Sequence, residues 1–545
     1  MATDPRFLAE SGHEVFTGNE LLIKGALETE GGVHLLCGYP GSPVAGFFDV
    51  LGDLRDLLNA RGVRAFQASN EALSVAAVNG SQMLPTRSIA TFKSVGVHVA
   101  SDALALGNLA GAHAQGGALI IMGEDPWCDS TQVPADSRFL CEHLRMPVVE
   151  PGSPQELKDW VDVGFKLSRA AGLYIGFIVT VAQADGGGTV RCRPNQFPTL
   201  NTNEKIPMPT AQIDLGKVLL PPRTWQRELQ FPQRFAATMA AARQLGVNRI
   251  VPASSGDFAG AAAPMGFIVT GMAGPYLQHV LADLGLAGTF PILHMGMSYP
   301  ADVELVREFA GCCEAMIVIE ERRSFLEKNI RDRLFEGLEH GEAASLSARL
   351  FGKHFPNGVE GIPSTRGLNF SVLAQKLIPL IQSTERLAAE RRNGRLSQEM
   401  DRLRRASTPA LEVLSEAIVP RTPTFCPGCP HRDSSAALLE LRQNLADPKY
   451  MSRRHGRGPV DLVAHGDTGC YTMLMFPPTE QLMHNYSGMG LGGGTGSGID
   501  PFITTSRSSS WEMEHSSIPG RSPSAIPSRP ARTSPTSSSK TKRRR

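Results

Sequence analysis

Four clusters in this 545-residue chain carry side chains able to do chemistry. Cys37-Gly38-Tyr39-Pro40-Gly41-Ser42-Pro43 closes an apolar run. Its glycines let backbone approach a ligand and Ser42 offers a hydroxyl at a strand end, although a turn of this composition also serves structure alone. Ser69-Asn70-Glu71-Ala72 opens a small-residue helix. On its own, Glu71 reads as a capping or dipole-compensating residue. Cys426-Pro427-Gly428-Cys429-Pro430-His431-Arg432 is a CxxC cluster. A structural zinc site needs four ligands, and no second pair follows at finger spacing. A redox dithiol sits at a helix start after a strand, whereas this one follows a Pro-rich stretch. Haem attachment wants His directly after the second Cys, and Pro430 intervenes. An iron–sulfur cluster would need two more thiolates nearby, and Cys470 supplies only one. The fourth cluster runs from Gly488 through Gly490 to Gly498 and formally contains G-x-G-x-x-G. The acidic residue expected about 20 positions on falls where globular character has ended, so a glycine-rich helix packed beside a diphosphate fits better.

The elements that must hold these clusters follow from periodicity. VHLLCGYPGSP (33–43), RSIATFKSVG (87–96) and GALIIMGEDP (117–126) read as buried strands ending in Gly/Pro/Ser-rich loops. SNEALSVAAVNGSQML and HVASDALALGNLAGAH between them read as helices able to pack closely on a sheet. That alternation predicts a parallel α/β sheet covered on both faces, with ligands at the strand ends. A Pro/Gly/Asn-rich connection over 191–230 separates this first domain (1–190) from a second α/β domain over 231–383. The strands of the second are NRIVPASS, GFIVTGMA, TFPILHMGM and EAMIVIEE. A charged helical linker spans 384–420, read as a solvated face. A third α/β domain covers 421–503, and 504–545 is a Ser/Pro/Arg-rich tail whose composition cannot bury a core. The fold class is therefore α/β: three consecutive doubly wound parallel-sheet domains plus a disordered C-terminal tail.

Composition narrows the function classes. With 54 Lys+Arg against 53 Asp+Glu, the net charge is +1, which predicts no general affinity for nucleic acid or membranes. No apolar segment approaches the roughly 20 residues of a membrane span. The start, MATDPRFLAESGHEVF, is too charged for a signal peptide. Nine scattered cysteines suggest a reducing compartment, and the expected location is cytoplasmic.

Taken in order, GNELLIKGAL, GYPGSP, SNEALSVAA, FKSVGVHVASD, CPGCPH and GDTGCYT resemble the alpha subunit of indolepyruvate ferredoxin oxidoreductases over about residues 14–503. These are thiamine-diphosphate enzymes that decarboxylate aryl 2-oxoacids to acyl-CoA and pass electrons to ferredoxin. The resemblance implies pyrimidine-binding, transketolase-C-like and diphosphate-binding domains. It implies thiamine diphosphate, Mg²⁺, [4Fe–4S] clusters, coenzyme A as co-substrate, a small (beta) subunit and ferredoxin as partners. Glu71 matches the glutamate that protonates N1′ of the aminopyrimidine, a proton shuttle that activates the thiazolium carbon. Gly428, Cys429 and His431, Asp467-Thr468-Gly469-Cys470, and Gly488 and Gly490 fall at the diphosphate end. Ser42 falls near the substrate, and Lys93 is a partner for its carboxylate.

The family pattern breaks at the metal. Its Gly-Asp-Gly loop for Mg²⁺ should lie beyond Asp500, and the Cys-rich [4Fe–4S] segment beyond that; neither is there. Codons can explain the gap. Thr505 to Trp511 can be written ACA AGC AGG TCG TCT TCA TGG, which in the neighbouring frame, with one base restored, reads Asn-Lys-Gln-Val-Val-Phe-Met. The next residues then permit Met-Gly-Asp-Gly-Thr-Phe-Phe-His-Ser-Gly, a metal loop after a buried strand. The expectation is a shift of reading frame near codon 505 and a chain impaired as written. The alternative is a catalytically silent binding or assembly module that retains the first two domains.

Overall fold

Strand ends in register at one edge of a sheet are what position the predicted clusters of the first domain. In the computed structural model, described for residues 3–205, 215–255, 258, 262–386, 389–407, 419, 423–466, 469–480, 482–488, 491–499, 502 and 509–510, residues 1–411 form one compact unit and 412–545 a second. The strands of the first unit are β1 (His13–Thr17), β2 (Leu35–Gly38), β3 (Arg64–Gln67), β4 (Arg87–Lys93), β5 (Gly117–Glu124), β6 (Val148–Val149), β7 (Ile175–Thr180) and β8 (Gly187–Arg191), then β9 (Asn248–Val251), β10 (Ala263–Val269), β11 (Ile292–Met295), β12 (Met297–Tyr299), β13 (Cys313–Ile319) and β14 (Leu350–Phe351). Its helices that bear on function are α1 (Gly18–Glu28), α2 (Glu71–Ser81), α3 (Gly96–Ala110), α4 (Pro154–Ala171), α5 (Ala273–Asp283) and α6 (Ala389–Ser407).

The larger sheet has the order β12-β6-β7-β5-β4-β2-β3 and is parallel except for its edge strand β12. Every residue of β5 and β7 is buried, as a sheet covered on both faces requires. Gly38 lies opposite Gln67 and Thr91, and Lys93 opposite Gly123, so the carboxyl ends of four neighbouring strands are nearly flush. Gly38 itself has φ +154, and a Cβ there would stand 1.9 Å from the Thr91 carbonyl oxygen, which fixes this residue as glycine. β1 and β8 pair antiparallel beside this sheet.

The second sheet, β14-β13-β10-β11-β9, is parallel except for β9. β12, separated from β11 only by Gly296, crosses instead to pair with β6 of the first. The charged helix α6 is not wholly solvated: Leu396 and Leu403 are buried in the core of the second sheet, with Met400 packed against it. The 396/400/403 spacing is one helical face, an apolar stripe the charge density hides.

The second unit is small. α7 (Pro430–Ala446) and α8 (Gly492–Ile499) accompany a three-stranded parallel sheet, β16 (Asn485–Tyr486), β15 (Ala464–Gly466) and β17 (Ser509–Ser510) in that order. Its core gathers Phe425, Leu438, Leu462, Leu474, Leu482 and Met483. β17 falls within the stretch expected as a structureless tail. Ala464 and His465 bear backbone groups that a neighbouring strand satisfies, and Ser509 and Ser510 supply it. Otherwise Phe502 is the last described residue before the tail, and the rest of 504–545 lies outside the described residues. Among the described residues no helix is long and apolar enough to cross a membrane.

Candidate active site

Glu71 is the first residue of α2, but it does not cap that helix. Asn70 does, its side chain accepting from the Leu73 N–H at 2.8 Å. The capping role that a Glu at a helix start suggests is thus already filled. The Glu71 residue is 3% exposed, and burial pushes its carboxyl above the usual range while its own backbone N–H pulls the other way. Gly96, the first residue of α3, makes the space: a Cβ there would lie 2.6 Å from both Cγ and Oε1 of Glu71. A protonatable carboxyl is held at the carboxyl edge of the sheet.

Ser42 and Lys93 meet through a residue the sequence reading passed over. The Lys93 ammonium donates to the Ser130 carbonyl at 2.6 Å, and the hydroxyls of Ser42 and Ser130 are 3.1 Å apart. Gly41 lies against Lys93, where a Cβ would stand 3.0 Å from that of the lysine. Asp125 fixes the Ser130 loop, accepting from the Ser130 N–H at 2.8 Å and the Thr131 hydroxyl at 2.7 Å. Burial lowers the Lys93 pKa, and the nearby Asp125 charge works against that. The only signal of Asp125 and Ser130 in the sequence was an apolar strand that ends on two acids, Glu124-Asp125.

In the second unit, Gly428 has φ +73 and Cys429 is the N-cap of α7 with no side-chain cap bond. The Cys429 sulfur lies 3.4 Å from Nδ1 of His431, whose ring stacks on Phe425 at 5.8 Å between centroids. Cys429 does stand at a helix start, but among the described residues no strand leads directly into it. Gly469 precedes a 3-10 turn at Cys470–Met475, and Cys470 is exposed. Gly488 is exposed ahead of α8. Asp467, Thr468 and Gly490 lie outside the described residues. Among the described residues, no group of three or more His, Cys, Asp or Glu is placed to hold a metal ion.

A second polar region, unforeseen from sequence, lies where the carboxyl edges of the two sheets of the first unit face each other. Glu124 at the end of β5, Glu150 after β6, and Glu320 and Glu321 after β13 are gathered around Arg138. Arg138 donates to Asp136 at 2.8 and 2.9 Å and to Glu320 at 3.3 Å. Burial pushes the Glu124 carboxyl up to about 8 and that of Glu321 to about 7. In the unfolded chain both ionise near about 4.3. A raised folded pKa stabilises fully below the unfolded value and is lost as pH rises through the folded value. The buried His34 and His294, pushed down to about 4, work the other way below their unfolded value, so the melting temperature is expected to decline between about pH 6.5 and 8.5. Glu124→Gln keeps the acceptor for the Ser137 N–H and has no proton to lose, so it should flatten the upper part of that decline. Superimposable pH profiles for the two proteins would refute the assignment.

Comparison with known proteins bears on the whole chain. An indolepyruvate oxidoreductase domain family matches residues 257–408, a span that includes α6. The indolepyruvate oxidoreductase subunit IorA of Archaeoglobus fulgidus is 26% identical over 499 residues, 86% of this chain and 65% of that protein. IorA of Methanothermobacter thermautotrophicus is 26% identical over 510 residues, 91% of this chain and 70% of that protein. This chain thus spans just under two thirds of the length of its Archaeoglobus relative. Among solved structures, a 2-oxoglutarate:ferredoxin oxidoreductase from Magnetococcus marinus aligns with a TM-score of 0.43 and 14% identity, over 59% of this chain and 60% of that one. Over most of its length the chain is thus similar to the IorA subunit of indolepyruvate oxidoreductases, and within it to an indolepyruvate oxidoreductase domain.

Proposed function

We propose that this chain is the large subunit of a cytoplasmic indolepyruvate ferredoxin oxidoreductase, which oxidatively decarboxylates aryl 2-oxoacids to acyl-CoA with a small subunit and ferredoxin as partners. The observation that carries the proposal is Glu71: relieved of capping by Asn70, buried, and given room by Gly96. Such a carboxyl fits the ring nitrogen of an aminopyrimidine, to which it offers a proton in a site of low polarity. Thiamine diphosphate, when bound, supplies the carbon nucleophile that attacks the 2-oxo group.

The chain's own residues have three tasks. Glu71 holds and returns a proton at the ring nitrogen. Lys93 is tied on one side to the Ser130 carbonyl and keeps ammonium donors for a substrate carboxylate, with Ser42 beside it. In the second unit, the N-terminus of α7 behind Gly428 presents backbone N–H groups of the kind that receive phosphate, next to Cys429 and His431. Gly469, Cys470 and Gly488, with Asp467, Thr468 and Gly490, complete the set proposed for the diphosphate. Mg²⁺ bound through a loop encoded in the other reading frame would offset its charge, and the [4Fe–4S] ligands would follow in that frame.

Calorimetric titration with thiamine diphosphate and Mg²⁺ tests this reading. The chain as written is expected to bind about a hundredfold more weakly than one continued in the neighbouring frame after codon 504, for want of the metal bridge. Equal affinities would remove the frame shift from the proposal. Absence of binding to both, with each folded, would remove thiamine diphosphate.

A further inference from the structure

The loop that holds Lys93 is itself held from outside its own domain. It runs from Asp125 to Thr131 after β5, and its Ser130 carbonyl takes the Lys93 ammonium. Asp125 closes the loop on its own stem, accepting from the N–H groups of Asp129 at 3.2 Å and Ser130 at 2.8 Å. The middle of the loop, Trp127 and Cys128, leans on the second α/β domain. Gly367 abuts the Trp127 indole so closely that a Cβ there would stand 2.4 Å from Nε1 and 2.8 Å from Cδ1. The Arg366 guanidinium lies over the same ring, 5.3 Å from its centroid. Arg322, just beyond β13, is buried; it donates to the Asp125 carbonyl at 3.4 Å and to the Cys128 sulfur at 3.8 Å.

Both sides of this seam adopt backbone that side chains resist. Cys128 has φ +59, Arg322 +60 and Arg366 +65. Residues with a Cβ keep such angles only where their surroundings over-determine them. The second-domain side is anchored in turn, since the Leu368 N–H donates to Glu321 at 2.8 Å and Leu368 is buried in that domain's core. Trp127 therefore rests on a fixed wall. Any displacement of it passes along the loop to Ser130, and from the Ser130 carbonyl to Lys93.

We propose that Gly367 and Arg322 are positioning residues: they seat Trp127 and Cys128 so that the Ser130 carbonyl aims the Lys93 ammonium at the carboxylate of the 2-oxoacid. A charge-assisted bond depends on direction as well as distance, so the aim matters to substrate binding. The substrate half of the proposal rests on the thiamine reading, in which Lys93 meets that carboxylate; the seating of Lys93 does not.

Acetylation by a soluble N-hydroxysuccinimide ester, followed residue by residue with mass spectrometry, reads the seating directly, because Lys93 is 6% exposed and its ammonium is engaged. Gly367→Ala should speed labelling of Lys93 about fivefold by loosening the loop, while the other lysines keep their rates. Arg322→Met should act alike and serves if the first variant does not fold. Trp127→Ala removes the ring that the new Cβ would strike, so Gly367→Ala should add nothing to it. In the chain continued in the neighbouring frame, with its small subunit, Gly367→Ala should raise the KM for the aryl 2-oxoacid about tenfold and leave kcat and the KM for coenzyme A in place. A contact that served stability alone would lower the active fraction and leave KM unmoved. Unchanged Lys93 labelling in both folded variants would overturn the proposal, whatever the activity. Faster labelling with an unmoved KM would overturn it too, since Lys93 would then be no partner of the substrate. If the unaltered protein oxidises no aryl 2-oxoacid, the thiamine reading fails, and the labelling alone decides whether the second domain seats Lys93.

Discussion

In the chain continued in the neighbouring frame after codon 504, replacing Glu71 by Gln is expected to slow the proposed aryl 2-oxoacid oxidation about a thousandfold, the scale of a lost acid–base group. Gln has nearly the shape of Glu and fits beside Gly96, but it has no proton to exchange with a ring nitrogen. The melting temperature should hold or rise, because the substitution relieves the burial of an ionisable group. That split separates a chemical role from a structural one. A helix-dipole residue replaced by its amide would cost a few tenths of a kcal/mol to about 1 kcal/mol of stability and leave turnover intact. Turnover within a few fold of the unaltered protein would take Glu71 out of the mechanism.

Gly96→Ala is expected to reach the same chemistry from the other side. The new Cβ would lie 2.6 Å from Cγ and Oε1 of Glu71, so the carboxylate must swing away. Its far end is flexible, and Ala is the better helix former at the start of α3, so little stability should be lost. Activity should nonetheless fall about a hundredfold, because misplacement of a catalytic group by about 1 Å is that costly. The effect should appear in kcat rather than in KM for the 2-oxoacid, since Lys93 and Ser42 are untouched. A fall in KM-limited rate alone would point to the substrate pocket instead, and unchanged kcat would mean that Glu71 has room the geometry does not show.

Local sequence carried much of this arrangement. Apolar runs ending in Gly, Pro and Ser announced β2, β4 and β5, and small-residue periodicity announced α2 and α3. The placing of Ser42, Glu71 and Lys93 at one sheet edge follows from those elements alone, because parallel strands must end on the same side. What escaped was non-local. Ser130 reaches Lys93 from a loop 37 residues on, and nothing in its neighbourhood marks it. β12 pairs with β6 across about 150 residues, so the segment looked like part of the second sheet only. The stripe Leu396, Met400 and Leu403 was masked by the arginines around it. The acid-rich junction was invisible for the same reason: its carboxyls end separate strands, and only the fold brings Glu124, Glu150 and Glu321 to one cavity.

The central claim is that this chain's fold serves thiamine-dependent oxidation of an aryl 2-oxoacid. Ferredoxin reduction is the direct measure, with the chain continued in the neighbouring frame and produced together with its small subunit. Supplied with coenzyme A, Mg²⁺ and indolepyruvate, the protein should reduce ferredoxin only when thiamine diphosphate is present, and the Glu71→Gln protein should not. A folded, cofactor-saturated protein that reduces no ferredoxin with any aryl 2-oxoacid would contradict the claim.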